Sequence, residues 1–282
     1  MLSLLTSRAA DGFTMSDDQS EELRVVVDKL ANCLGKHVVS IYEDDDRGRP
    51  ALWGSGLLVS APEGSFLVSA AHVLDPLRAG RNLYLYSKPK LKMRLTGRYY
   101  LSNVPPDGTR DDDRLDVGVL KLEGVASPPY PLVDKFSLPI SALLPGAVPR
   151  NRKQYLILGV PGSKIEIDVA RRQVEAKLYG NLCRTVPAER YEPLGFSTDN
   201  HIVLEFNRNS VRGPKGERQT FPKTGGLSGS PVWLLWDTDG PNDPQQTPAV
   251  GILIEDCKSE QVLVATDVGF AIEMIRDGFK PK

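Results

Sequence analysis

The chain predicts an all-β fold: two six-stranded antiparallel β-barrels, with a helix before the first and a short helix near the C-terminal end. Three observations carry this expectation. From residue 36 onward the apolar residues fall in short runs bounded by turn residues, not in long helical stripes. The runs form two series, divided by the proline-rich interval 123–150. The length, 282 residues, suffices for one large all-β domain or two small barrels sharing a cleft.

Taken in order, residues 1–15 read as a loose tail and 17–34 as a helix. Ser16 and Gln19 form a capping box, and Leu23, Val26, Val27, Leu30 and Leu34 make an apolar stripe at helical spacing. The stripe is expected to pack on the body; a regulatory or partner-binding helix is the alternative. Residues 1–35 thus precede the first barrel. That barrel, 36–122, has strands at 37–43, 52–60, 65–70, 82–87, 92–101 and 116–122. Turns at Asp44-Asp45-Asp46-Arg47-Gly48 and Pro62-Glu63-Gly64 punctuate them. Six short strands match a small closed barrel. Ser127-Pro128-Pro129 and Pro131 mark 123–150 as a linker between the halves. The second barrel lies in 151–282, with strands at 153–160, 164–178, 184–189, 201–206, 230–236, 248–255 and 262–266. The polar, basic stretch 207–224 reads as a long loop, 237–247 as another, and 271–278 as a short apolar helix. No repeat at solenoid period is present.

Composition is that of an ordinary soluble domain, 40% apolar and 25% charged, with formal charge −1. No dominant basic field exists, so nucleic acid is not an expected partner. The local clusters Lys88 to Arg94 and Arg208 to Arg218 read as solvated loops or strand edges. Cys33, Cys183 and Cys257 are odd in number and include no CxxC pair, which argues against a disulfide framework and a zinc site. A reducing, cytoplasmic setting is expected. The apolar start lacks a basic leader and a long apolar core, so it makes a poor signal peptide. No run of 18 apolar residues exists, and no membrane span is expected.

The chemistry concentrates in three segments. Gly225-Gly226-Leu227-Ser228-Gly229-Ser230-Pro231 sets a serine between glycines just before an apolar strand. Glycines open backbone conformations closed to other residues and leave room for a substrate carbonyl. The N–H groups of Gly226 and Ser228 are therefore candidate oxyanion donors. His72 follows Phe66-Leu67-Val68-Ser69-Ala70-Ala71, a strand ending in small residues, which suits an imidazole facing a cleft. Asp116 opens the apolar strand Val117-Gly118-Val119-Leu120, a costly place for a carboxylate without a partner. Orienting His72 would supply that partner; the bland alternative is a solvated loop end continuing Asp111-Asp112-Asp113. Spacing gives His72 and Asp116 to the first barrel and Ser228 to the second. His37 and His201 each begin a strand without a small-residue approach and are poor candidates for the base. Ser230, which precedes a proline, is the rival nucleophile. An α/β-hydrolase elbow does not fit: the final glycine of its motif is missing, a strand follows, and the histidine precedes the serine.

These segments resemble the chymotrypsin-like serine peptidases, especially the bacterial Deg/HtrA-like branch, over roughly residues 36–277. Gly54-Ser55-Gly56 resembles the family's opening strand, Ala71-His72-Val73 its histidine segment, and Leu115-Asp116-Val117-Gly118 its aspartate segment. Gly159-Val160-Pro161-Gly162 resembles the turn that opens the second half, and Gly226 to Pro231 the nucleophile segment. Ala249-Val250-Gly251-Ile252 and Gly269-Phe270-Ala271-Ile272 resemble the closing strands. The resemblance implies peptide-bond hydrolysis through an acyl-enzyme, with His72 as base, Asp116 as its orienter and Ser228 as nucleophile. It implies a protein or peptide substrate and no metal or organic cofactor. Leu227 departs from the family's usual Asp or Asn before the serine, which puts activation by a freed N-terminus in doubt. No aspartate lies in 221–225, so strict Lys/Arg preference is not expected. A PDZ domain is not expected after residue 282. A peptidase in a reducing compartment needs a gate, and a regulatory protein partner, oligomerisation or the loop 207–224 is expected to supply it. A trypsin-fold scaffold without turnover and an esterase or acyl-transfer activity are the competing functions.

Overall fold

The computed structural model describes residues 3–7, 29–87, 91–123, 136–146, 154–168, 173–212, 217–237, 240–241 and 247–279. The chain opens with β1 (Ser3–Ser7), and residues 29–34 form the described part of helix α1. β2 (Val38–Asp44), β3 (Pro50–Ala61) and β4 (Gly64–Ala70) lead to helix α2 (Ala71–Arg78). β5 (Leu83–Ser87), β6 (Leu91–Arg94), β7 (Tyr99–Leu101), β8 (Val117–Lys121) and β9 (Leu138–Pro139) complete the first half. The second half runs through β10 (Gln154–Gly159), β11 (Ile165–Asp168), β12 (Gln173–Ala176), β13 (Tyr179–Cys183) and β14 (His201–Glu205). It continues with β15 (Val211–Arg212), β16 (Arg218–Gln219), β17 (Pro231–Asp237), β18 (Gly240–Pro241), β19 (Ala249–Cys257) and β20 (Val262–Asp267). Helix α3 (Gly269–Glu273) and a π-helical turn, Met274–Gly278, close it.

Two curled sheets result. One runs β6-β5-β2-β3-β4-β8-β7 with β9 beside β3; the other runs β14-β20-β19-β17-β10-β13-β1-β15-β16 with β18 beside β17. β11 and β12 form a separate hairpin. The pairings within the first sheet are antiparallel except β3–β9, and those within the second except β1–β13. This is the chymotrypsin-like arrangement of two antiparallel near-barrels with a helix at either end.

Strand periodicity explains why the two units pack together. On β3, Leu57 and Val59 face one core shared by both sheets, while Leu58 faces a second, which Val203, Val262 and Val264 of the other sheet also enter. On β10, Leu156 and Leu158 face the shared core, and Tyr155 and Ile157 the interior of the second sheet. The strands are buried on both faces, so their sequences read as continuous apolar runs. Leu30, Ala31 and Leu34 of α1 and Ile275 and Phe279 at the C-terminal end seal the shared core. The expected docking of α1 on the body therefore holds over 29–34; the rest of 17–34, with Ser16 and Gln19, lies outside the described residues.

Four expectations are corrected, the first being the single strand 92–101, which divides into β6 and β7. Residues 3–7, read as loose tail, pair with β13 in parallel and with β15 in antiparallel fashion. The expected strand at 184–189 is instead β13, displaced toward the N-terminus. Gly180-Asn181 carries turn chemistry in the sequence, yet Asn181 is buried within the strand and its Nδ2 donates to Cys183 Sγ at 2.8 Å. The run 164–178 splits into β11 and β12, paired from Ile165–Ala176 to Asp168–Gln173. Of the linker 123–150, residues 124–135 and 147–150 lie outside the described residues. Within the loop 207–224, β15 and β16 form a short antiparallel pair.

Candidate active site

His72 is the second residue of α2, directly after β4. Small residues let the strand turn at once into the helix. Ser69, Ala70 and Ala71 are fully buried, and Ser69 Oγ donates to Ser55 O at 2.7 Å. Gly118 completes the fit: a Cβ there would lie 3.3 Å from Ala71 Cα and 2.7 Å from Leu101 Cδ2. A larger residue two positions after Asp116 would push α2 off β8.

Asp116 engages His72 twice. Its Oδ1 accepts the His72 backbone N–H at 2.8 Å, and its Oδ2 lies 2.5 Å from His72 Nδ1. Its carbonyl accepts the Ala71 N–H at 2.9 Å. The carboxylate is thus saturated by the segment it orients, which answers the desolvation cost of a site only 7% exposed. His72, with 37% of its side chain exposed, keeps its other edge toward solvent. Asp116 sits at φ +39°, one of two non-glycine residues with positive φ among the described residues. Strain of this kind persists only where the surroundings over-determine it.

The second sheet helps hold that segment. Thr266 Oγ1 of β20 donates to Leu115 O at 2.5 Å, and His201 Nε2 of β14 lies 2.8 Å from Arg114 O. His201 is buried and tied to this backbone, and His37 Nδ1 lies 2.8 Å from Phe136 O. Both rings are engaged by backbone carbonyls.

The serine turn is built by both halves. Thr224 O accepts the Leu227 N–H at 2.9 Å, closing a turn whose third residue, Gly226, has φ +92°. Type II turns demand such a residue at that place. A Cβ on Gly226 would overlap Leu52 of β3. Gly229, at φ +85°, fits tightly against Ser55 O and Ser69 Oγ. Ser55 clamps the turn: its N–H donates to Ser228 O at 2.8 Å and its Oγ to Gly226 O at 2.7 Å. From the second half, Leu253 O accepts the Gly229 N–H at 2.7 Å, and Gly162 N–H donates to Gly225 O at 2.7 Å. Asp256 Oδ2 accepts from Thr224 Oγ1 at 2.5 Å. Leu227, 2% exposed, is buried in the second interior, so apolar packing anchors the turn.

Within this turn the N–H groups of Leu227, Gly229 and Ser230 are taken by carbonyls. Those of Gly226 and Ser228 donate to no protein acceptor among the described residues. Ser230 Oγ is fully buried, makes no hydrogen bond, and lies where a Cβ on Gly159 would stand. Ser228 is partly exposed. Its Oγ makes no hydrogen bond to His72 or to any other described residue. The two segments meet at Gly54, where an added Cβ would lie 2.6 Å from Val73 and 3.2 Å from Ser228 O. The structure therefore joins His72 to Asp116 directly, and brings the Ser228 turn beside them through the backbone of β3.

No group of three or more His, Cys, Asp or Glu side chains able to hold a metal occurs among the described residues, and no described helix is long and apolar enough to cross a membrane. Cys33, Cys183 and Cys257 form no disulfide among the described residues.

No protein-family model and no curated protein matches the chain. Among solved structures it is similar to the structure of GrC, at 16% identity over 87% of this chain and 95% of that one, with TM-score 0.49. It is also similar to the Vibrio cholerae VesB protease, at 13% identity over 86% of this chain and TM-score 0.49. The chain spans 64% of the VesB protease. At these scores neither likeness adds to what the two sheets establish about fold.

Proposed function

We propose that the protein is a serine endopeptidase of the trypsin-like superfamily, with Deg/HtrA-like sequence features. The observation that carries this reading is the double engagement of His72 by Asp116 beside a turn with two unclaimed N–H groups. Asp116 holds Nδ1–H and so presents Nε2 as the basic nitrogen. In the reaction, Ser228 Oγ adds to the scissile carbonyl carbon while its proton passes to His72 Nε2. The carbonyl π pair moves to oxygen, which the N–H groups of Gly226 and Ser228 stabilise; such a donor supplies about 3 kcal/mol. The pair returns, the C–N bond breaks, and His72 protonates the leaving amine. Water, deprotonated by His72, then adds to the acyl carbon; the bond to Ser228 Oγ breaks, His72 returns the proton to Oγ, and the acid leaves. No metal or organic cofactor enters these steps.

The apolar anchoring of Leu227 supports a turn formed without a newly freed N-terminus. Gating belongs instead with a regulatory partner or with the loop 207–224, whose stem is tied by Arg208 Nε to Phe221 O at 2.9 Å and whose β15 pairs with β1. Three cysteines without a CxxC pair fit a reducing, cytoplasmic setting. A scaffold without turnover is the second reading, favoured by the absence of a Ser228–His72 hydrogen bond; such bonds are often long before substrate binds. Incubation with a diverse peptide library decides between them. Endoproteolytic products that vanish in Ser228→Ala are expected; an intact library, with and without candidate partners, would favour the scaffold.

A further inference from the structure

The His72 helix and the Asp116 segment are separate stretches of chain, and one guanidinium joins them behind the His72–Asp116 contact. Arg110 lies in the 3-10 turn Arg110–Asp112. Its Nε and Nη2 donate to Asp75 Oδ2 and Oδ1 at 2.7 and 3.0 Å. Asp75 stands three residues after His72 on α2. Arg110 Nη1 donates to Asp113 Oδ2 at 2.5 Å and to Ser102 O at 2.9 Å. Asp113, buried, stands three residues before Asp116.

From Asp113 the network runs on to both neighbours of Asp116. Asp113 Oδ1 accepts the Leu115 N–H at 3.1 Å, and Asp113 Oδ2 accepts from Ser102 Oγ. Ser102 Oγ in turn accepts the Val117 N–H at 3.0 Å. The residue at φ +39° is therefore gripped on each side by groups that converge on Arg110. Burial opposes the guanidinium charge, yet the hydrogen bonds and charges of Asp75 and Asp113 outweigh it and hold its pKa above the ordinary arginine value. A plain stabilising ion pair needs one carboxylate. Here the planar fork is divided between two, one on each piece of chain that supplies the reactive pair.

We propose that Arg110 is a positioning residue that locks α2 to the Asp116 segment and thereby fixes the His72 Nδ1–Asp116 Oδ2 contact. Its effect on turnover rests on the peptidase reading; its effect on the contact does not. The test is proton and nitrogen NMR of the full chain labelled at histidine. Only three histidines occur, and a His72→Gln spectrum assigns the one in question. Wild type should show a far-downfield Nδ1–H proton from His72. Arg110→Lys keeps the charge but loses the fork, and Asp75→Ala cuts the tether on the helix side. The Asp75 side chain is 30% exposed, so the second variant decides the matter should the first fail to fold. The His72 resonance should vanish in both variants while those of His37 and His201 stay. Labelling of Ser228 by a fluorophosphonate should slow at least tenfold. A downfield resonance retained in folded variants, or absent from wild type, overturns the proposal. A resonance lost in the variants of a protein that never labels upholds the tether and defeats the peptidase reading instead.

Discussion

At the scale of single residues, the two serines of one turn show how burial separates equals. Ser230 Oγ is sealed against Gly159, while Ser228 is partly exposed. Sequence pointed to Ser228, His72 and Asp116 because each carries a local signal: glycines, small residues before a helix, a charge at the mouth of an apolar strand. It gave no sign of Arg110, Ser102 or Asp113. Asp111-Asp112-Asp113 reads as one solvated acidic run, yet Asp112 caps Thr109, with its Oδ2 accepting the Thr109 N–H at 2.7 Å, while Asp113 is buried against Arg110. Only the fold distinguishes three identical side chains. Cys257 makes a prediction at this scale. Burial first, then the Glu255 charge and hydrogen bond, push its thiol up to about 12. At pH 8 the thiolate fraction is therefore ~10⁻⁴, and the thiolate is the reactive form. Iodoacetamide at that pH should modify exposed Cys33 to completion before Cys257 reacts, and the Cys257 rate should rise about tenfold per pH unit toward 12. Mass spectrometry of the folded protein checks this; equal rates at pH 8 would contradict it.

At the scale of elements, the serine turn is a joint product of β3, β4 and β19. Its glycines meet two demands, a positive φ and close neighbours, and these separate by substitution. Gly229→Ala meets both: a left-handed backbone, and overlap with Ser55 O and Ser69 Oγ. Gly80→Ala, at φ +74°, has nothing within 4 Å. The first should cost about 2–4 kcal/mol and abolish fluorophosphonate labelling. The second should cost about 1 kcal/mol and leave labelling intact. Denaturant unfolding and labelling of both variants test the pair, and similar losses would show that the clamp is not what matters. Most strands of the first half were legible because apolar runs alternate there with clear turn signals; the run 92–101, read as one strand, is β6 and β7. β13 was not, because Gly180 and Asn181 carry turn chemistry into a buried strand. β1 was not, because its pairing with β13 and β15 joins segments far apart in the chain.

At the scale of the whole molecule, the shared core decides where the proposed site lies. Both sheets turn apolar faces to it, Trp233 of β17 and Phe66 of β4 among them, and helical segments from both ends of the chain seal it. That packing brings Ser55 against the Ser228 turn, and Thr266 and His201 against the segment leading to Asp116. The proposed site is therefore a property of the union of the halves, held by hydrogen bonds that cross it. Labelling of purified full-length protein by a fluorophosphonate, with Ser228→Ala, His72→Ala and Ser230→Ala beside it, tests this account most directly. The account predicts one label on Ser228, lost in the first two variants and kept in the third. Absence of label on the wild type, or a label surviving Ser228→Ala, would contradict it.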